Sequence, residues 1–220
     1  VRTPLLLALA FVLLCTLPAC EGPYYRSFSD AGQVRDRTLV RLARLVSDSC
    51  KAIDEQIEAS LSALRAHAEL PTPRDPAMIF EQELHRCESR AKIATDRLAT
   101  LTFGGQTAFE RWELELGEYK DAALRDASKK ALEEVRSRHT NTVEQVKRST
   151  ASVQPFLHLL ADQSRLLRQT TDAASRAAVD LRLDQLQTLA SDAQAAMRVG
   201  RSSAADFADW LDARKEPARP

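Results

Sequence analysis

The stretch VDLRLDQLQTLASDAQAAMRVGRSSAADFADWL, residues 179–211, carries apolar or small residues at Val179, Leu183, Leu186, Ala190, Ala193, Met197, Gly200, Ala204, Phe207 and Leu211, in alternating steps of four and three without a miss. That spacing places every one of them on a single side of a helix, whereas a strand would alternate with period two. Sustained over so many turns, it is a coiled-coil seam. The small residues Ala190, Ala193, Gly200 and Ala204 admit a neighbouring helix at close range, so this helix belongs at the centre of a bundle.

Comparable seams lie upstream. Leu39, Leu42, Val46, Cys50, Ile53, Ile57, Leu61, Leu64 and Ala68 step 3-4-4-3-4-4-3-4, an eleven-residue repeat that suits a straight or slightly right-handed coil. Phe80, Leu84, Cys87, Ala91, Ala94, Leu98 and Leu101 step 4-3 throughout. Beyond them the seam thins to Val135, His139, Thr142 and Val146, where the polar members are read as fixing register at a cost in stability. The expected fold is all-α: an elongated antiparallel helical bundle or coiled coil of about four long helices over residues 30–212, followed by a disordered tail, 213–220.

Helix boundaries are read from the few Gly and Pro residues. Asp30 with Gln33 is a capping-box start, Pro71, Pro73 and Pro76 end the first helix and open the second, and Asp75 caps it. Gly104 and Gly105 are expected to break the second helix near Thr102, with Thr107 and Glu110 starting the third. Pro155 is expected to kink or break that third helical pattern, which would run about 95 Å to Gln169 if it were continuous. Thr170 to Asp172 mark the last turn.

Composition narrows the function. The chain has 31 basic and 31 acidic side chains, which disfavours nucleic-acid binding, since that needs a basic footprint. With 34 Ala and 30 Leu against 6 Gly and 5% aromatic residues, a sheet-based catalytic fold is disfavoured as well.

The N-terminus reads as an address. Arg2, the apolar run Leu5 to Leu14 and then Leu17-Pro18-Ala19-Cys20 have the order of a secretory signal, residues 1–19, ending in a lipobox. The run is too short to span a bilayer, and acylation of Cys20 would give a stable lipid anchor. Glu21 rather than Asp follows Cys20, which points to the outer membrane, facing the periplasm. Residues 20–29 read as a lipidated tether, with Tyr24 and Tyr25 either in the headgroup region or packed on the first helix.

Two other thiols, Cys50 and Cys87, lie on neighbouring seams in an oxidising compartment, where an intramolecular disulfide is the favoured expectation. The register strains it. Measured from the intervening turn, Cys50 lies about 27 Å and Cys87 about 16 Å along their helices, so free thiols or an intermolecular bond stay open. Phe109, Trp112 and Tyr119, with Leu116, form the richest aromatic cluster, read first as a hydrophobic plug between helices and second as a partner-binding patch.

Constellations for chemistry are few. No Gly-rich phosphate loop, His-Glu-x-x-His helix, Cys-x-x-Cys pair or Gly-x-Ser-x-Gly elbow occurs. His85 and Cys87 are two apart on a helix and face apart. His67 and His158 stand without ionisable neighbours in sequence, and the carboxylates alternate with Arg and Lys as solvated faces. No catalytic residue, metal or cofactor is expected.

The lipobox with Tyr24-Tyr25, the segment Phe109-Glu110-Arg111-Trp112-Glu113-Leu114-Glu115-Leu116 with Tyr119, Leu124-Arg125 and Ser128, then Val153-Gln154-Pro155-Phe156-Leu157 and Asp206-Phe207, together resemble the bacterial proteins catalogued as domain of unknown function 2959. Members usually carry a Leu-Lys-His-Asn-Leu-Asn-like stretch where this chain has Leu167-Arg168-Gln169-Thr170-Thr171-Asp172. The resemblance implies location and shape and transfers no catalytic residue. The expected function is therefore a non-enzymatic, lipid-anchored periplasmic scaffold or adaptor with an envelope protein as partner, and a membrane-surface binding or tethering module is the alternative. Seams this regular also allow pairing between chains, so monomer and homodimer are both open.

Overall fold

The computed structural model describes residues 23–68, 76–169 and 173–214. They form five helices: α1 (Pro23–Ala68), α2 (Pro76–Glu118), α3 (Ala122–Ala151), α4 (Gln154–Gln169) and α5 (Ala173–Ala213). The signal segment 1–19, Cys20 and residues 215–220 of the expected tail lie outside the described residues. Two compact units divide the chain, residues 1–35 and 36–220. The described part of the first unit is helical from Pro23.

The second unit is an antiparallel four-legged bundle, with α3 and α4 together forming the third leg. Polar contacts between neighbours show its direction. Arg97 on α2 donates to the Leu45 carbonyl at 3.1 Å and to Ser49 Oγ at 2.8 Å on α1, while Ser60, further along α1, donates to Glu83, further back on α2, at 2.8 Å. Trp112 Nε1 on α2 donates to Ser128 Oγ on α3 at 2.9 Å, and Arg168 on α4 pairs with Glu81 on α2. The square closes through α5. Thr142 of α3 donates to the Ser203 carbonyl, Gln194 donates to the Asp54 carbonyl of α1 at 3.3 Å, and Ser47 of α1 donates to the Arg201 carbonyl at 3.2 Å.

The seams form the core of this unit. Leu39, Leu42, Val46, Cys50, Ile53, Ile57, Leu61 and Leu64 are all buried, as are Phe80, Cys87, Ala94, Leu98 and Leu101. On α5 every seam residue from Leu186 to Leu211 is buried. A fully buried Leu, Ile or Phe contributes about 1.5–3 kcal/mol, whereas an exposed ion pair contributes about 0–1 kcal/mol. The apolar stripes therefore decide the fold, and the ion pairs between legs trim it. The small residues of α5 allow the close approach that was expected of them: a Cβ added at Gly200 would lie 2.9 Å from the Cβ and Oγ of Ser149.

Three boundaries differ from expectation. The α1 helix begins at Pro23 and not at Asp30, so the segment read as a tether is helical over 23–29. Pro fits the first helical turn, and from there to Ala68 the chain contains no further Pro and a single Gly, Gly32. The α2 helix runs straight through Gly104 and Gly105 to Glu118. Each glycine costs about 1 kcal/mol in helix propensity, but the seam continues past them through Phe109 and Trp112, whose burial repays it. The next helix accordingly starts at Ala122, not Thr107, with Asp121 as N-cap accepting from the backbone N–H groups of Ala123 and Leu124. The expected break at Pro155 is present: Ser152 and Val153 form a turn, and Pro155 sits in the first turn of α4, where its missing N–H costs nothing.

Candidate functional site

The aromatic residues singled out in the sequence sit where α2, α3 and α5 meet. Phe109 and Trp112 are each 6% exposed and Tyr119 is half-buried in the turn after α2. Phe109 and Trp112 face the bundle because they extend the α2 seam, and their rings pack in its core beside α3. The indole N–H is satisfied by Ser128, and the Arg136 guanidinium lies 5.3 Å from the Phe109 ring while pairing with Glu113 at 2.7 Å.

His139 is the centre of this layer. Its ring meets Phe109 edge-on at 5.2 Å and Phe207 at 5.9 Å, and Nε2 lies 3.0 Å from the Leu101 carbonyl. A carbonyl only accepts, so Nε2 carries the proton and donates, which fixes the tautomer of the neutral ring. Burial lowers its pKa below the ordinary 6.5, while the Leu101 carbonyl opposes that shift. The ring reaches Leu101 because Gly105 has no side chain; a Cβ there would collide with it. One edge of His139 borders a groove of about 380 Å³ between α2 and α3, whose rim carries Glu110, Arg136 and Glu144.

An aromatic and cationic stack missed in the sequence extends this layer on α5. Trp210 stacks on Phe207 at 6.3 Å, and the guanidinium groups of Arg138, at 4.3 Å, and Arg214, at 4.7 Å, lie over its ring. Phe207, Trp210 and Arg214 are spaced three and four apart, a signal that local sequence carried; the partnership with Arg138 was not legible, because it depends on register across helices.

The cysteines correct an expectation. Cys50 and Cys87 are free thiols and both are buried. Cys87 lies 3.3 Å from Ser60 Oγ, ten residues along α1 from Cys50, while Cys50 faces the Gly200 position on α5. The α1–α2 register thus sets the two thiols on different levels, beyond the separation that a disulfide bridges. Burial pushes both pKa values up to about 11, and for Cys87 the nearby Glu83 and Glu88 carboxylates add to this while Ser60 opposes it. Thiols held protonated in this way are poor nucleophiles.

Beside Cys87 lies a polar cluster. Glu83, 3% exposed, accepts from Ser60 at 2.8 Å, from Gln56 at 3.3 Å and from Arg86 at 2.5 Å. Its carboxylate is therefore occupied by hydrogen bonds. His85 is exposed between Glu81 and Glu88 of its own helix, and His158 is exposed on α4; the side chain of His67 lies outside the described residues. Among the described residues no group of three or more His, Cys, Asp or Glu could hold a metal ion, and no helix is long and apolar enough to cross a membrane.

Comparison with known proteins adds one finding. A family model described as "Protein of unknown function (DUF2959)" matches residues 24–211. No curated protein and no solved structure matches the chain.

Proposed function

We propose a function from the premise that the chain belongs to the DUF2959 family of proteins of unknown function: it is a lipid-anchored, periplasm-facing helical scaffold or adaptor of the bacterial cell envelope, without enzymatic activity. The observation that carries this reading is how the helices are used. Their inward stripes close on one another from Leu39 to Leu64 and from Leu186 to Leu211, and ionisable side chains such as Arg138, Glu134, Arg165 and Asp162 pair along the exposed face of their own helix. Such an arrangement supplies length and surface. The lipobox ending at Cys20 supports attachment through acyl chains, with the outer membrane as the destination.

With Phe109 and Trp112 inside the bundle, the outward face of α2 is the better place to look for a partner: Phe103 is 70% and Leu114 77% exposed. The test is photo-crosslinking in cells from residues substituted at positions 103 and 114, followed by mass spectrometry, in the acylated chain and in a Cys20→Ala form. Envelope proteins captured by the acylated chain and lost on Cys20→Ala are the expected result. Recovery of the same proteins by both forms, or of none above background, would overturn the scaffold reading.

A further inference from the structure

We infer that the α1 face carrying Arg37, Arg41 and Arg44 is a phosphate-binding site, occupied by the headgroup phosphates of anionic phospholipid. The three residues step four and three apart, so their side chains project from one stripe, and together they line a groove of about 400 Å³ at the seam between α1 and α5. Buried Val40 and partly exposed Leu45 form its apolar floor.

The three arginines are not equivalent. Arg44 pairs with Asp212 at 2.6 Å and with Asp209 at 3.5 Å, both on α5. It is thereby held in place and largely neutralised. Arg37 and Arg41 are exposed and form no ion pair among the described residues, in contrast to Arg136, Arg138, Arg165, Arg168 and Arg198, each of which has a carboxylate partner. One helical turn separates Arg37 from Arg41, about 6 Å along the axis, so both guanidinium forks reach one tetrahedral anion. A guanidinium offers several fixed donors that match phosphate oxygens in pairs, which an ammonium does not. Asp48, one turn beyond Arg44, closes the far end of the groove with negative charge, so the anion seat is confined to the Arg37–Arg41 end.

Charge complementarity selects the occupant. Two unpaired arginines in a chain of no net charge are too few for a nucleic acid, whose binding grows with the number of phosphates neutralised. A bilayer presents many anionic headgroups in one plane and attracts each nearby Lys or Arg by about 1 kcal/mol, and the floor of Val40 and Leu45 suits the glycerol and upper acyl region. This inference does not depend on acylation of Cys20 or on the scaffold reading, and its test uses the unacylated chain.

The full-length Cys20→Ala chain is sedimented with vesicles of phosphatidylethanolamine and phosphatidylglycerol (about 3:1) and with vesicles of phosphatidylcholine alone, at low and at near-physiological ionic strength. Binding to the anionic vesicles, weakened by salt, is expected. Arg37→Gln with Arg41→Gln lowers it about thirty-fold, five-fold or so per arginine. Arg90→Gln with Arg111→Gln, which removes the same charge from two exposed and well-separated positions on α2, changes it less than two-fold. Calorimetric titration with inorganic phosphate is the second arm: phosphate binding that the Arg37/Arg41 variant loses, without vesicle binding, upholds the site and assigns it to free phosphate. Equal vesicle binding by the parent and the Arg37/Arg41 variant, an equal loss in the α2 control, or no binding in either arm overturns the inference. All four positions are exposed, so circular dichroism is expected to show every variant folded.

Discussion

At Gly105 a missing methyl group sets how closely α2 and α3 approach, because the His139 ring occupies the space that a Cβ would need. Gly105→Ala would gain about 1 kcal/mol of helix propensity, yet it must displace a buried ring held by Phe109, Phe207 and Leu101. Overpacking of that kind costs about 1–3 kcal/mol, and a net loss of stability is expected in urea unfolding. Gly117→Ala is the control: nothing lies within 4 Å of its Cβ position, so a gain of about 0.5–1 kcal/mol is expected. His139 itself yields a pH prediction. Its folded pKa is below 6.5, so between those two values the unfolded chain binds more protons, and the stability due to the neutral ring is complete above pH 6.5 and falls as pH drops through that window. Unfolding free energies measured from pH 7.5 down to 5 should decline less steeply in His139→Leu than in the parent; equal slopes would remove the assignment. The role of His139 as a polar seam residue was legible in its 4-3 spacing, but its cage was not, because Gly105, Phe109 and Phe207 reach it from two other helices.

At the scale of the element, α2 shows why local signals mislead at glycine. Two adjacent glycines read as a stop, but the apolar seam on both sides of them has one period, and the tertiary contacts it earns outweigh the propensity cost. The true stop follows Glu118, and the sign of it is Asp121. Its carboxylate accepts from the N–H groups of Ala123 at 2.8 Å and Leu124 at 3.1 Å, satisfying donors that the first turn of α3 leaves unpaired. Asp121→Ala should cost about 1 kcal/mol and Asp121→Asn only a few tenths, since Asn caps as well; thermal unfolding of the two variants distinguishes capping from charge. Pro155 was legible for the opposite reason. A ring that removes an N–H and crowds the preceding turn cannot be outvoted by packing, so the chain resets at Ser152 and Val153.

For the molecule as a whole, the unit from Asp36 onward depends on register between legs, and its buried polar residues lie on those seams. Gln163 is 1% exposed, and neither atom of its amide has a hydrogen-bond partner. Replacing such a side chain with an apolar one of similar volume removes a desolvation cost of about 1–3 kcal/mol. Gln163→Leu is therefore expected to raise the unfolding temperature by several degrees, and a lowered temperature in calorimetry would show that the amide is satisfied in solution. The sequence by itself determined the helical class, the antiparallel bundle and most core positions outside α4, because a stripe of period 3.5–3.6 has one way to leave water; the buried Phe156, Leu157, Leu160 and Leu167 of α4 lay on none of the seams read from it. It also identified the family, since the matched motifs lie along most of the chain. Only the tertiary structure decided which level of one helix faces which level of the next. That register separated Cys50 from Cys87, turned Phe109 and Trp112 inward, and left Arg37 and Arg41 without carboxylates. The physical reason is that seam periodicity specifies a face but is nearly unchanged by a slide of one heptad, so axial position is set by the turns and by how large and small side chains interlock between helices.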